Sequence, residues 1–205
     1  LTLNHSSTKK QKIFSTHSLN NGTKAAKAFK SIDEDDLVEQ ILELAPYIYN
    51  LKLIGGEPLV IKGFYKLLEA ISKSGHAHDI MIKYQTNMSL LSYGKYNFID
   101  YVDKFKIFEI TMSLDSTGIA GDYIRRRGNW EDIKKNIEEL YTYKTVRMNI
   151  NGAISFLSVL RFYELIQWFD DNYKFFVDGQ INWSNIRNPD KLTASALPEK
   201  LKQDL

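Results

Sequence analysis

The stretch Leu51-Lys52-Leu53-Ile54-Gly55-Gly56-Glu57-Pro58 decides the fold of this chain. A short apolar run ends at a glycine pair, and apolar side chains then recur at spacings of three and four, at Phe64, Leu67, Leu68 and Ile71. The first run has the length of a buried strand, and the later spacing is that of one face of a helix. The stretch therefore predicts a strand, a glycine turn and a helix in direct succession.

The same unit recurs on both sides of this stretch. Upstream, the apolar period predicts a helix over residues 34–47. Downstream, apolar runs predict strands over 80–84, 108–112 and 146–150 and a last strand within 175–183, with helices after 130 and 159. Since parallel neighbours need a crossover, and a helix is the usual one, the alternation predicts an α/β fold with a parallel sheet.

A polar side chain follows each of four predicted strands. Glu57, Asn87, Asp115 and Asn151 are separated by 30, 28 and 36 residues, which are the repeat distances of strand–helix–strand units. Because the carboxyl ends of parallel strands meet at one rim, where ligands bind, the four groups are expected around one pocket. The alternative is that each residue only ends a strand and starts a turn.

Composition excludes several classes of protein. The 205 residues carry 27 basic and 25 acidic side chains, and a net charge of +2 points to no nucleic-acid groove. With no cysteine, the chain offers no disulfide, thiolate zinc site or cysteine-ligated iron–sulfur cluster. The pair His76 and His78 is interpreted as part of a surface loop and not as a metal site. No apolar run is long enough for a membrane span, so a cytoplasmic protein without a membrane partner is expected.

A series of motifs in fixed order resembles the radical S-adenosylmethionine (SAM) superfamily. The series begins with the GGEP motif at 55–58 and continues through Thr86-Asn87, Ser113-Leu114-Asp115-Ser116, Arg125-Arg126-Arg127-Gly128 and the helix start at 129–133. The tail at 188–192 and 197–199 is similar to members of the SPASM and twitch subgroup. The resemblance implies a partial (β/α)6 barrel of mostly parallel strands with outer helices. It divides the chain into a polar segment over 1–30, a barrel core over 31–187 and a C-terminal extension over 188–205.

The resemblance also implies how SAM is held. It assigns the methionyl amino group to the loop of Gly55, Gly56, Glu57 and Pro58, where glycines admit close backbone approach and a carboxylate favours an ammonium. Ser113 and Arg125, with Arg127 second, suit the carboxylate, because a guanidinium forms paired charge-assisted hydrogen bonds. Asp115 or Asn151 is expected to accept from the ribose hydroxyls, and Asn87 to line the same rim.

The family's chemistry needs a [4Fe-4S] cluster held by a CxxxCxxC loop, which this chain lacks. The run over residues 4–8 is similar to the segment that follows the third cysteine in twitch-like members, so the first barrel strand is expected to be missing and the edge of its neighbour to be unpaired. The chain is expected to be inactive as it stands. It is interpreted as the SAM-binding core of an enzyme that abstracts hydrogen from an unknown peptide or small molecule. Two alternatives remain, a cluster-free SAM- or nucleoside-binding scaffold and an unrelated α/β barrel.

Overall fold

A computed structural model describes residues 2–4, 34–126, 128–173 and 179–203. The predicted polar segment over 1–30, apart from residues 2–4, lies outside these ranges, as do Arg127 and part of the strand predicted within 175–183. The predicted domain boundaries therefore stay a prediction. Contacts group the chain into two compact units, the first formed by Leu1–Tyr84 with Ser92–Phe108 and the second by Gln85–Leu91 with Glu109–Leu205.

The main sheet is open, has six strands and runs in the order β1-β2-β3-β6-β7-β8. Its pairs β2–β3 and β7–β8 are parallel, and β4 and β5 form a separate antiparallel hairpin. The strands are β1 Thr2–Asn4, β2 Asn50–Leu53, β3 Met81–Thr86, β4 Ser92–Tyr93, β5 Tyr96–Asn97, β6 Ile107–Met112, β7 Val146–Ile154 and β8 Ile181–Asn185. This open, mostly parallel sheet with its helices confirms the predicted fold class.

The helices follow the apolar period of the sequence. The predicted helix over 34–47 is an α-helix that ends in one 3-10 turn, Ala45–Tyr47. Among the described residues no helix combines the length and apolar character that a membrane span requires. The α-helices are α1 Glu34–Leu44, α2 Lys62–Lys73, α3 Ile99–Val102, α4 Gly118–Ile124, α5 Trp130–Tyr141, α6 Phe162–Tyr173 and α7 Glu199–Lys202.

The outer edge of β2 is paired, whereas the sequence predicted that it would be unpaired. This edge is paired by the three residues of β1, which run antiparallel to it, with Leu3 opposite Leu51. The expected unpaired edge was therefore wrong. Because β1 is antiparallel to β2, it does not correspond to the parallel first strand of a barrel, and the absence of that strand stays a prediction.

The core of the first unit is rich in aromatic rings. Phe98 is fully buried and lies with its ring centroid 5.0 Å from Phe108, 5.6 Å from Tyr84 and 6.4 Å from Phe64. We refer to these four residues as the aromatic cluster. Phe98 meets Phe108 and Tyr84 edge to face and Phe64 in a stacked arrangement, and both geometries gain electrostatic attraction beyond the area that the rings bury. The cluster therefore joins α2, β3 and β6 within this unit.

In the second unit, α6 packs closely against β7 at Gly152. A Cβ atom at this position would lie 2.5 Å from a ring carbon of Phe162 and 3.0 Å from the carbonyl oxygen of Leu114. Only glycine therefore permits this approach. The strand also continues past its predicted end at residue 150 to Ile154, so Asn151 lies within β7, opposite Asn182 of β8, and does not follow the strand.

Candidate functional site

The loop after β2 is shaped by two glycines with left-handed backbone angles. Gly55 has φ +127° and Gly56 has φ +44°, values that a residue with a Cβ rarely adopts. Glu57 then caps the 3-10 turn Pro58–Val60, and its Oε1 accepts a hydrogen bond from the backbone N–H of Leu59 at 3.4 Å. The loop thus exposes the glycine backbone and fixes a half-buried carboxylate beside it.

The charge of Glu57 contributes to raised pKa values at two tyrosines of the same unit. Burial, then the charges of Tyr101 and Glu57, raises the pKa of Tyr65 to about 12, and its hydroxyl donates to the carbonyl of Leu59 at 3.0 Å. Burial, with Glu57 as the next cause, raises the pKa of Tyr84 well above its ordinary value. The buried Tyr84 hydroxyl has no hydrogen-bond partner. Both phenols are therefore held in the neutral form.

We expect the free energy of unfolding to fall as the pH rises from 10 to 12. The folded-state pKa of Tyr65, about 12, exceeds the ordinary value of 10.0, so its contribution is complete below pH 10 and is lost as the pH rises through 12. Urea unfolding at several pH values measures this loss. Tyr65→Phe should reduce the alkaline slope, whereas the matched exchange Tyr47→Phe, at a residue that is 69% exposed, should keep it. Equal slopes for Tyr65→Phe and the unchanged chain would contradict the assignment.

Asp115 organises the second unit where β6 ends. Its side chain is 7% exposed, and Oδ1 accepts hydrogen bonds from the backbone N–H of Ala153 at 2.7 Å and from Nη2 of Arg125 at 3.1 Å. Oδ2 lies 2.9 Å from Nε of Arg125, whose side chain is 31% exposed. One carboxylate thereby joins the end of β6, strand β7 and the residue that ends α4.

Ser113 and Asn87 make local contacts in the same unit. The backbone N–H of Ser113 donates to the carbonyl of Thr86 at 2.8 Å, and its Oγ accepts from Nε2 of Gln85 at 2.7 Å. The Oδ1 of Asn87 accepts from the backbone N–H of Ser89 at 2.9 Å. Asn87 thus shapes the turn after β3, which agrees with its interpretation as a turn residue.

Unpartnered polar atoms concentrate in the segment from Ser116 to Arg125. Among the described residues, four buried side-chain atoms lack a hydrogen bond, and three of them, Ser116 Oγ, Asp122 Oδ1 and Arg125 Nε, lie in this segment. Arg125 Nε is near Asp115 Oδ2 but is not aligned to donate to it. A buried polar atom without a partner costs about 1–3 kcal/mol, and a missing ligand is one explanation for such atoms. The segment therefore suits a polar ligand.

Sequence reasoning identified Arg125 but did not assign roles to Ser116 and Asp122. Ser116 stands in the quoted motif directly after Asp115, so its position carried a signal. For Asp122, the only signal in the sequence was its position three residues before Arg125, which is a helical spacing. The structure brings Asp115 and Arg125 into direct contact, while Arg127 lies outside the described residues. The loop over 55–58 belongs to the other unit, and the predicted common pocket stays a prediction.

An open α/β sheet that carries these motifs at its strand ends is the architecture of a partial barrel. The family model of the radical SAM superfamily matches residues 13–155, more than half of the chain. The chain therefore belongs to the radical SAM superfamily, which supports a SAM-binding function of that type.

The crystal structure of SuiB from Streptococcus suis shares the fold. The crystal structure of SuiB matches with a TM-score of 0.53 and 16% identity over 78% of this chain and 36% of SuiB. SuiB bound to S-adenosylmethionine matches with a TM-score of 0.49 and 12% identity over 82% of this chain and 46% of that one. The chain thus spans about a third of the length of the first of these relatives. No protein of curated function matches the sequence.

Proposed function

We propose that this chain is the SAM-binding core of a radical SAM enzyme whose intact form abstracts hydrogen from a peptide or small-molecule substrate. The observation that carries the proposal is the pair of unpartnered buried polar atoms Ser116 Oγ and Asp122 Oδ1, on the segment that leads to Arg125, in a chain that belongs to this superfamily. A ligand with a carboxylate and hydroxyl groups offers partners to such atoms. Cytoplasmic location and a twitch-type extension over 188–205 are part of the same proposal.

The residues present fit SAM at two places. In the first unit, the backbone of Gly55 and Gly56 admits close approach, and the carboxylate of Glu57 favours the methionyl ammonium, with Pro58 fixing the turn. In the second unit, the part of the Arg125 guanidinium that faces away from Asp115 suits the methionyl carboxylate. Support for this assignment comes from the 31% exposure of the Arg125 side chain, which leaves it accessible.

The remaining predicted residues take lesser roles in the proposal. Ser113 is proposed as a second group for the methionyl carboxylate, and Arg127 stays the second candidate cation. Asn151 is the preferred acceptor for the ribose hydroxyls, because the carboxylate of Asp115 is buried against Arg125 and the N–H of Ala153. Asn87 lines the rim through its turn.

The residues present do not fit a [4Fe-4S] cluster. Such clusters are held by cysteine thiolates, and the chain contains no cysteine. Radical chemistry is therefore proposed only for an intact protein whose cluster ligands come from outside these 205 residues. The same absence favours a second candidate function, a cluster-free scaffold that binds SAM or a related nucleoside.

Calorimetric titration with SAM tests the proposal. We expect the unchanged chain to bind, and Glu57→Ala and Arg125→Ala each to weaken binding roughly tenfold or more, because each removes a charge-assisted hydrogen bond. Arg126→Ala is the matched control, since Arg126 is exposed and adjacent, and it should bind like the unchanged chain.

Adenosine as a second titrant separates the two candidate functions. The nucleoside scaffold is supported if adenosine binds with the same affinity as SAM and if Glu57→Ala and Arg125→Ala leave the adenosine affinity unchanged. Absence of any SAM binding by a chain with a folded circular dichroism spectrum would contradict the proposed function.

A further inference from the structure

The carboxylate of Asp115 contacts two groups, the backbone N–H of Ala153 on β7 and the guanidinium of Arg125. Its Oδ1 accepts from Ala153 and from Arg125, and its Oδ2 faces Arg125 Nε at 2.9 Å. At 7% exposure the side chain is closed to solvent, so a ligand hydroxyl would have to displace one of these partners. A ribose hydroxyl therefore has no open path to Asp115, because Oδ1 already accepts two hydrogen bonds and Oδ2 is buried against the Arg125 guanidinium.

Arg125 needs an external restraint to present a fixed guanidinium. It follows the last residue of α4, where its backbone N–H still donates to the carbonyl of Gly121 at 2.9 Å but its angles, φ −101° and ψ 86°, are no longer helical. An arginine side chain at such a position has many rotamers, and fixing them costs conformational entropy. The contacts to Asp115 supply that restraint before any ligand arrives.

The backbone around the pair limits its movement. A Cβ atom at position 121 would lie 2.6 Å from the carbonyl oxygen of Ser116, so α4 lies directly on the loop that carries Asp115. The bond from the Ala153 N–H holds the carboxylate to β7, which is paired with β8. Arg125 is thus anchored through Asp115 to the sheet.

We propose that Asp115 is a positioning residue that orients Arg125 for the ligand carboxylate and does not contact the ligand. This inference rests on the proposed function for its ligand. It replaces the ribose role with an indirect one: Asp115 holds the Nε and Nη2 side of the guanidinium, which leaves the Nη1 side for an anion.

A double-mutant cycle with SAM as the titrant tests the inference. Asp115→Asn keeps an oxygen for the Ala153 N–H but removes the charge that holds Arg125. We expect it to weaken SAM binding roughly tenfold. Because Asp115 acts only through Arg125, the double variant Asp115→Asn/Arg125→Ala should bind as Arg125→Ala alone. A double variant that is weaker than Arg125→Ala by the full factor of Asp115→Asn would mean that Asp115 contacts the ligand itself, and would overturn the inference.

The ordering of Arg125 gives a readout that needs no ligand. The heteronuclear NOE of the Arg125 Nε–H pair, assigned by its loss in Arg125→Ala, should show an ordered side chain in the unchanged protein and a mobile one in Asp115→Asn. Equal ordering in both proteins would overturn the positioning role. Failure of the proposed function has a different signature, in which the unchanged protein binds no SAM although the ordering of Arg125 still depends on Asp115.

Discussion

Replacement of Phe98 by alanine is expected to lower the free energy of unfolding by about 3–5 kcal/mol, the usual cost of deleting a buried aromatic ring. Phe98 is fully buried, and three rings of the aromatic cluster contact it from α2, β3 and β6. The three neighbouring rings are attached to a helix and two strands, so they cannot move far enough to fill the space that the Phe98 ring leaves. The loss combines transfer free energy with the cost of a cavity.

Urea unfolding followed by far-ultraviolet circular dichroism measures this loss. Phe98→Leu fills part of the space and should cost less than half as much. The matched control is Tyr47→Ala, which also deletes a ring but at a residue that is 69% exposed. We expect that control to stay within about 0.5 kcal/mol of the unchanged protein. A loss for Phe98→Ala no larger than that of the control would show that the aromatic cluster does not form.

Asp115→Ala is the second large effect, with an expected loss of about 2–3 kcal/mol in the free energy of unfolding. The variant removes the acceptor of the 2.7 Å bond from Ala153 and leaves the Arg125 guanidinium without its anion. The cost stays below that of a fully buried pair, because Arg125 is 31% exposed and water reaches part of its charge.

Asp115→Asn separates the two parts of this effect. The amide oxygen still accepts from Ala153, so this variant should lose about half as much stability as Asp115→Ala. The same urea titration applies, and Asp122→Ala in the neighbouring helix is the control, since its Oδ1 has no partner and its removal should be neutral or stabilising. Equal losses for Asp115→Ala and Asp115→Asn would assign the whole effect to the ion pair.

Apolar periodicity predicted most of the fold correctly. The run Leu51–Ile54, the glycine pair after it and the spacing of Phe64, Leu67 and Ile71 correspond to β2, the following loop and α2. These predictions succeed because burial of one face imposes a period on the sequence. Helix α5 also begins where expected, and Asn129 caps it by accepting from the N–H of Glu131 at 3.1 Å.

Features that depend on long-range contacts were not predictable. The antiparallel pairing of β1 is decided by residues that are distant in sequence and leave no periodic signal in a strand of three residues. Asn151 looked like a strand end because Asn-Gly favours turns, but pairing with β8 extends β7 through it. The contact between Asp115 and Arg125 joins residues ten apart through the geometry of α4, which no motif encodes.

The placement of the tryptophans has a spectroscopic consequence. All three, Trp130, Trp168 and Trp183, belong to the second unit, whereas the aromatic cluster of the first unit contains only phenylalanine and tyrosine. Trp130 is buried 4.9 Å from the ring of Trp168, and Trp183 is 62% exposed. Intrinsic tryptophan emission therefore reports on the second unit through one buried, one half-buried and one largely solvated fluorophore. A transition confined to the aromatic cluster would leave that emission almost unchanged.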